Sequence, residues 1–126
     1  MNFTYSKKFM PLAPVVNITL TTLATDVKVG PITALVDTGA DATIIPIEYL
    51  DRVKAPMTIE MWARGKWGGR QRVNLFLVDV HIGERVLPHV QVVGDETEDE
   101  VVLGRDVLNK LKVFLDGPAA VTRVSL

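Results

Sequence analysis

Carboxylates are the chemistry this sequence can offer, because the other common catalytic groups are missing or badly placed. There is no cysteine, which removes thiol nucleophiles, disulfides and thiolate metal sites together. The only serines, Ser6 and Ser125, lie near the ends of the chain, where a precisely oriented nucleophile is hard to build. His81 and His89 flank an expected hairpin and lack a His-Glu-x-x-His spacing, so they read as surface or hydrogen-bonded residues rather than metal ligands. No Gly-x-x-x-x-Gly-Lys-Ser/Thr loop is present to cradle phosphate. The sequence therefore predicts neither a metal nor a cofactor. Among the carboxylates, Asp37 is in an unusual place. It ends the apolar run Ala34-Leu35-Val36 and precedes Thr38-Gly39-Ala40-Asp41. An ionisable group at the inner end of a buried strand is costly unless it is paired or functional. Gly39 allows a sharp turn and close approach of another backbone, and Thr38 offers a hydroxyl to hold the loop. Taken alone, Asp-Thr-Gly is read equally well as an ordinary Asx-type turn after a strand.

The elements around Asp37 read mostly as short strands. Val16, Ile18 and Leu20 alternate with Asn17, Thr19 and Thr21, a strand with one buried face. Gly30-Pro31 reads as a turn before the run from Ile32 to Val36. Pro46 opens a short helix through Tyr49 and Leu50. Met57–Trp62 and Gln71–Val80 read as two strands joined by the glycine-rich, cationic connection Ala63–Arg70, an exposed and mobile hairpin tip. A turn at His81–Glu84 leads to a strand from Arg85 to Val93, and the acidic run Asp95–Glu100 reads as a solvated loop. Val101–Leu103 is a buried strand ended by Gly104, Asp106–Lys110 a second helix, and Lys112–Leu115 and Ala120–Leu126 closing strands around Gly117-Pro118. The expected fold class is all-β, a compact closed barrel with one or two short helices. At 126 residues, 48% hydrophobic, the chain suits one domain, residues 1–126, with a real core.

A net charge of −1 gives no basic stripe for nucleic acid or an anionic surface. No apolar run approaches the ~20 residues of a membrane helix, and the N-terminal stretch, broken by Pro11 and Pro14, lacks a signal-peptide profile. A cytoplasmic protein without nucleic-acid or membrane partners is expected. Asn17-Ile18-Thr19 fits a glycosylation sequon but reads as a chance match on a strand.

Three segments together carry a family resemblance. The stretch Ala34-Leu35-Val36-Asp37-Thr38-Gly39-Ala40-Asp41-Ala42-Thr43-Ile44-Ile45-Pro46 closely resembles the active-site stretch of retroviral-type aspartic proteases, the retropepsins and their cellular relatives. Val101-Val102-Leu103-Gly104-Arg105-Asp106-Val107-Leu108 resembles the second landmark of that family, an apolar strand, Gly-Arg and a short helix. Between them, Gly65-Lys66-Trp67-Gly68-Gly69 looks like the tip of the family's flap. The resemblance covers about residues 34 to 111. It implies that Asp37 is the catalytic aspartate, Thr38 the residue whose hydroxyl knits two active-site loops together, and Gly39 a backbone contact to substrate. It implies side-chain pockets lined by Leu35, Ala40, Ile44 and Val102. Asp41, Lys66 and Gly68 would lie beside the substrate, with Trp67 closing over it. Asp41 and Arg105 would pair beside the site and support a dimer.

Peptide hydrolysis by carboxylates needs one group to accept a proton from water and another to give one to the leaving amide. Two aspartates about 3 Å apart supply both by sharing one proton, as aspartic proteases are known to do. Asp-Thr-Gly occurs once here, so the second aspartate must come from a second chain across a two-fold axis. The implied function is an aspartic endopeptidase active as a homodimer on polypeptides, cleaving between apolar side chains at acidic to mildly acidic pH. Some positions depart from the family pattern. Only Lys7 and Lys8 stand where retroviral enzymes often place an N-terminal arginine, Lys66 and Trp67 make the tip bulkier, and Met1 suggests a free-standing cellular member. Two alternatives remain at this level. One is a catalytically inactive retropepsin-like dimeric interaction domain, because fold does not guarantee function; the other is an unrelated ligand-binding β-barrel.

Overall fold

A computed structural model describes residues 1–64 and 68–125 of the chain. In order these form β1 (Asn2–Thr4), β2 (Val15–Thr22), β3 (Thr25–Val36), β4 (Ile44–Pro46), α1 (Ile47–Arg52), β5 (Met57–Arg64), β6 (Arg70–Ile82), β7 (Arg85–Asp95), β8 (Val101–Leu103), α2 (Arg105–Leu108), β9 (Lys112–Asp116) and β10 (Val121–Ser125). The main sheet runs β2-β3-β8-β4-β7-β6-β5, and an extra β2–β6 pairing closes its first six strands into a barrel. Strand β5 is left outside the closure as one arm of a long hairpin with β6. A separate three-stranded sheet, β1-β10-β9, joins the two ends of the chain.

Period-two patterning explains the barrel. Val16, Ile18 and Leu20 on β2 are buried while Asn17 between them is exposed. Phe76, Val78, Val80 and Ile82 on β6, with Leu87, Val90 and Val92 on β7, complete the same interior. Fully burying one such side chain stabilises the fold by about 1.5–3 kcal/mol, so a single polar replacement there would be felt. The helices plug the barrel's margin, with Leu50 from α1 and Val107 and Leu108 from α2 all in the core.

The structure departs from the sequence reading at Gly30-Pro31, which is no turn but lies within the continuous strand β3. The β2–β3 register shifts there, between Ile18 and Leu20. A Cβ on Gly30 would sit 2.8 Å from the Ile18 carbonyl oxygen, so glycine lets β2 press against a bulge, where proline's missing N–H is tolerated. The three-residue strand β1 had no signal in the sequence; its position is set by pairing with β10, a long-range partner. The strands of the β5–β6 hairpin run further than expected, to Arg64 and back from Arg70. The expected mobile tip at Gly65, Lys66 and Trp67 lies outside the described residues.

Candidate active site

Four hydrogen bonds, three of them between backbone groups, fix the turn that carries Asp37. Strand β3 ends as the Val36 N–H donates to the Pro14 carbonyl at 3.0 Å. The Asp37 N–H then donates to the Leu103 carbonyl at 3.1 Å, continuing the parallel β3–β8 ladder by one residue. Two further bonds close the turn on itself, from the Gly39 N–H to Asp37 Oδ1 at 2.9 Å and from the Ala40 N–H to the Asp37 carbonyl at 3.2 Å. One carboxylate oxygen is thereby held, while the other has no hydrogen-bond partner among the described residues. Asp37 is half-buried, and Thr38 and Gly39 are exposed. The Asx-type turn is real, and it orients the carboxylate rather than merely ending a strand.

Arg105, the first residue of α2, clamps this turn from outside. Its N–H donates to the Ala40 carbonyl at 2.9 Å, Nη1 to the Thr38 carbonyl at 2.8 Å, and Nη2 pairs with Asp41 Oδ1. The Asp41 and Arg105 side chains are 89% and 45% exposed, so the ion pair itself adds at most about 1 kcal/mol. Its importance is geometric, because the planar guanidinium fork spans two acceptors at fixed angles.

Beneath the clamp lies a buried polar tie that the sequence reading missed. Thr43 is fully buried. Its hydroxyl donates to Asp106 Oδ1 at 2.8 Å and accepts the Gly104 N–H at 3.1 Å, while its own N–H donates to Asp106 Oδ2 at 3.2 Å. The Val107 N–H also reaches Asp106 Oδ1, at 2.9 Å, as a carboxylate in a helix's first turn should. Gly104 is required by space: a Cβ there would stand 2.6 Å from the Ala42 carbonyl carbon and oxygen. The loop after Asp37 and the start of α2 are therefore packed backbone to backbone. A threonine six residues after the aspartate, paired with an acid just after Gly-Arg, was the available sequence signal.

Three of the four substrate-pocket candidates, Leu35, Ile44 and Val102, share a face of the sheet, and Ala40 lies in the loop between β3 and β4. Register places Leu35 beside Val102, Val102 beside Ile44, Ile44 beside Val93, Val93 beside Leu75 and Leu75 beside Ile59. These side chains form one apolar row across six strands. Each is at least partly exposed, whereas their strand neighbours Ala34, Leu103, Ile45, Val92 and Phe76 are buried. Ala40, Asp41, Ile44 and Val102 line one cleft of about 690 Å³, together with Val73 and Val93. Leu35 lies one strand further along the row and borders a second hollow of about 450 Å³. Asp37, Thr38 and Gly39 line neither hollow.

The expected solvated loop Asp95–Glu100 forms one wall of the larger cleft through Asp95, Glu96, Glu98 and Glu100. Asp95 Oδ1 holds that loop by accepting the N–H groups of Thr97 and Glu98. Arg64 and Arg72 of the β5–β6 hairpin stand on the cleft as well. Gly68 is exposed and adopts a left-handed conformation, as does Gly69. Lys66 and Trp67, the other residues assigned to the substrate, lie outside the described residues.

His81 is remote from this chemistry and shares a hydrogen bond of 2.7 Å with Thr21 Oγ1; the His89 N–H donates to Asp79. Among the described residues, no group of acids and histidines is placed to hold a metal ion, and no helix is long and apolar enough to cross a membrane.

Comparison with known proteins agrees with the geometry. Residues 23–110 match the family model described as "gag-polyprotein putative aspartyl protease", a span that contains both loops and the cleft. No curated protein sequence matches the chain. Among solved structures, a retropepsin-like aspartic protease from Rickettsia conorii superposes with a TM-score of 0.64 at 16% identity, covering 100% of this chain and 92% of that one. EIAV protease, solved with the inhibitor HBY-793, gives 0.57 at 19% identity, covering 86% and 93%. The retroviral protease-like domain of Ddi1 from Leishmania major gives 0.54 at 17% identity, covering 89% of each chain. At these identities the structural likeness shows the fold, and the family model supplies the kinship. The chain belongs to the retropepsin-like aspartic protease family.

Proposed function

We propose that two copies of this chain, residues 1–126 acting as one domain, form an aspartic endopeptidase in which the two Asp37 carboxylates face each other and share a proton. One activates water as general base, and the other protonates the leaving amide. The observation that carries this reading is the Asp37 turn: one carboxylate oxygen is tied to Gly39 while Thr38 and Gly39 remain exposed. The Thr38 hydroxyl finds no partner among the described residues of its own chain, which suits a role across the dimer axis, with Gly39 offering its backbone to substrate. The family's inactive alternative has no observation in its favour, since every group that fixes the Asp37 turn is in place.

Ile44 and Val102 of the apolar row, together with Ala40 from the loop, supply side-chain subsites in the cleft, with Leu35 beside it. Asp41 serves both the rim of that cleft and, through Arg105, the support of the turn. Lys66, Trp67 and Gly68 are assigned to the hairpin tip that folds over substrate on the family resemblance, and a cytoplasmic site of action remains part of the proposal. The test is digestion of an unstructured protein by the purified chain. Cleavage abolished by Asp37→Asn and blocked by a pepstatin-like inhibitor supports the reading; cleavage that survives Asp37→Asn refutes it.

A further inference from the structure

The larger cleft is bordered by a carboxylate that the proton chemistry leaves unused. Glu100 immediately precedes β8, and burial alternates from it along the strand: Glu100 and Val102 are half-buried, Val101 and Leu103 buried. Successive side chains of a strand point to opposite faces, so Glu100 stands on the face of the apolar row, one pleat before Val102. It borders both hollows, the cleft of about 690 Å³ that holds Ile44 and Val102 and the hollow of about 450 Å³ that holds Leu35. The ion pairs of the described residues join Arg72 to Glu60, Arg105 to Asp41 and Arg123 to Asp116, and none reaches Glu100. The neighbouring acids differ from it. Asp95 Oδ1 is committed to the N–H groups of Thr97 and Glu98, and Glu96 and Glu98 are exposed. A half-buried charge without a partner is costly unless something completes it.

We infer that Glu100 selects a basic side chain, Lys or Arg, at a substrate position flanking the cleaved bond. The inference rests on the protease reading and names the substrate class of that cleft. Strands β3 and β8 run parallel with Leu35 beside Val102. Asp37 lies two residues past that level and Glu100 two residues before it, about 13 Å apart along the strands at ~3.3 Å per residue. That exceeds the Debye length of ~8 Å at physiological ionic strength, so Glu100 stays out of the proton transfer and meets a residue further along an extended substrate. Lys and Arg lay their methylene stems on apolar surface and carry the charge at the tip, which matches an apolar row that stops at a carboxylate. The bond formed there is charge-assisted. An apolar side chain in the same place would strip water from the carboxylate and replace it with nothing. Lys8 and Arg52 border the smaller hollow, so the basic side chain approaches from the larger cleft, where Asp95, Glu96 and Glu98 add to the field. A divalent cation is the poorer occupant, because no group of acids among the described residues is placed to hold one.

A peptide library with apolar centres, carrying Lys, acetyl-lysine or Glu at each flanking position in turn, reads the preference. Acetyl-lysine keeps the stem and removes the charge. The wild-type chain should favour Lys over acetyl-lysine in kcat/KM by about tenfold or more at one position, and the ratio should shrink as salt is raised. Glu100→Gln should erase that ratio, and Glu100→Lys should favour Glu at the same position, a reversal that a merely structural role would not produce. Glu84→Gln removes an equal charge from the exposed β6–β7 turn and should keep the wild-type ratio. Wild-type cleavage indifferent to Lys against acetyl-lysine, or a ratio unchanged in Glu100→Gln, overturns the inference and leaves the protease reading standing. The same peptides, fluorescently labelled, are titrated with the Asp37→Asn chain and with the Asp37→Asn, Glu100→Gln double variant. If the wild-type chain cleaves no member of the library while a binding preference for Lys persists and needs Glu100, the protease reading falls and the assignment of Glu100 stands. Neither cleavage nor a binding preference overturns both.

Discussion

Replacing Thr43 with valine removes a hydroxyl from the buried tie while nearly preserving its volume, so the cost can be assembled from the contacts. The Gly104 N–H loses its acceptor inside the fold, and an unmet buried donor costs about 1–3 kcal/mol. Asp106 loses one donor but keeps the Thr43 and Val107 N–H groups. Being half-buried it can recruit water, so roughly 0.5–1 kcal/mol is lost there. The added methyl returns about 0.8 kcal/mol of apolar burial. The net destabilisation is about 1–3 kcal/mol, or roughly 3–12 °C in Tm for a chain of this length. Urea unfolding followed by circular dichroism, at one fixed protomer concentration because dimerisation shifts apparent stability, should show a lower midpoint with an unchanged slope. Thr43→Ser should recover most of the loss. A valine variant within about 0.5 kcal/mol of wild type would mean that the three groups do not act as a tie, and the account of how the two loops are locked would fail.

Gly104→Ala should be worse than its small size suggests, by about 1–3 kcal/mol or more, because the new Cβ meets the Ala42 backbone and not a movable side chain; thermal unfolding will read it. Arg105→Lys should change stability by less than about 1 kcal/mol yet cut kcat/KM by about tenfold or more, since a lysine cannot span Thr38 and Asp41 together. Equal and small changes in both would refute the clamp. Val102→Ala should widen the cleft beside Ile44 and shift cleavage toward bulkier apolar side chains in a peptide-library profile, by about 10-fold for the best-matched residue.

The barrel and its landmarks were legible because they rest on local pattern. The alternation of Val16, Ile18 and Leu20, the run ending at Asp37 and the Gly104-Arg105 junction each carry their signal in a few consecutive residues. Gly30-Pro31 misled because the same residues suit a turn and a bulge, and only the close approach of Ile18 on another strand decides between them. Strand β1 and the Thr43–Gly104–Asp106 tie were hidden for a related reason. Both are defined by partners about sixty residues or more away, which no local periodicity encodes. The acidic run reads as a loop from its composition, and it is one from Glu96 onward, whereas Asp95 still belongs to β7; its placement on the cleft wall follows from the parallel pairing of β4 with β7. The Arg105–Asp41 pair and the grouping of Ala40, Ile44 and Val102 came from the resemblance; the structure pairs Ile44 with Val102 by register, sets Ala40 beside them on the cleft and joins Arg105 to Asp41 across the turn.

The central claim, that two chains contribute one catalytic aspartate each, is tested most directly by mixing. Wild-type chain and Asp37→Asn chain are combined at constant total concentration, exchanged to equilibrium, and assayed for cleavage of one peptide. If each site needs both aspartates, activity follows the square of the wild-type fraction, falling to about one quarter in an equal mixture. A linear decline, leaving about one half, would show that a single chain carries the whole site and would contradict the account.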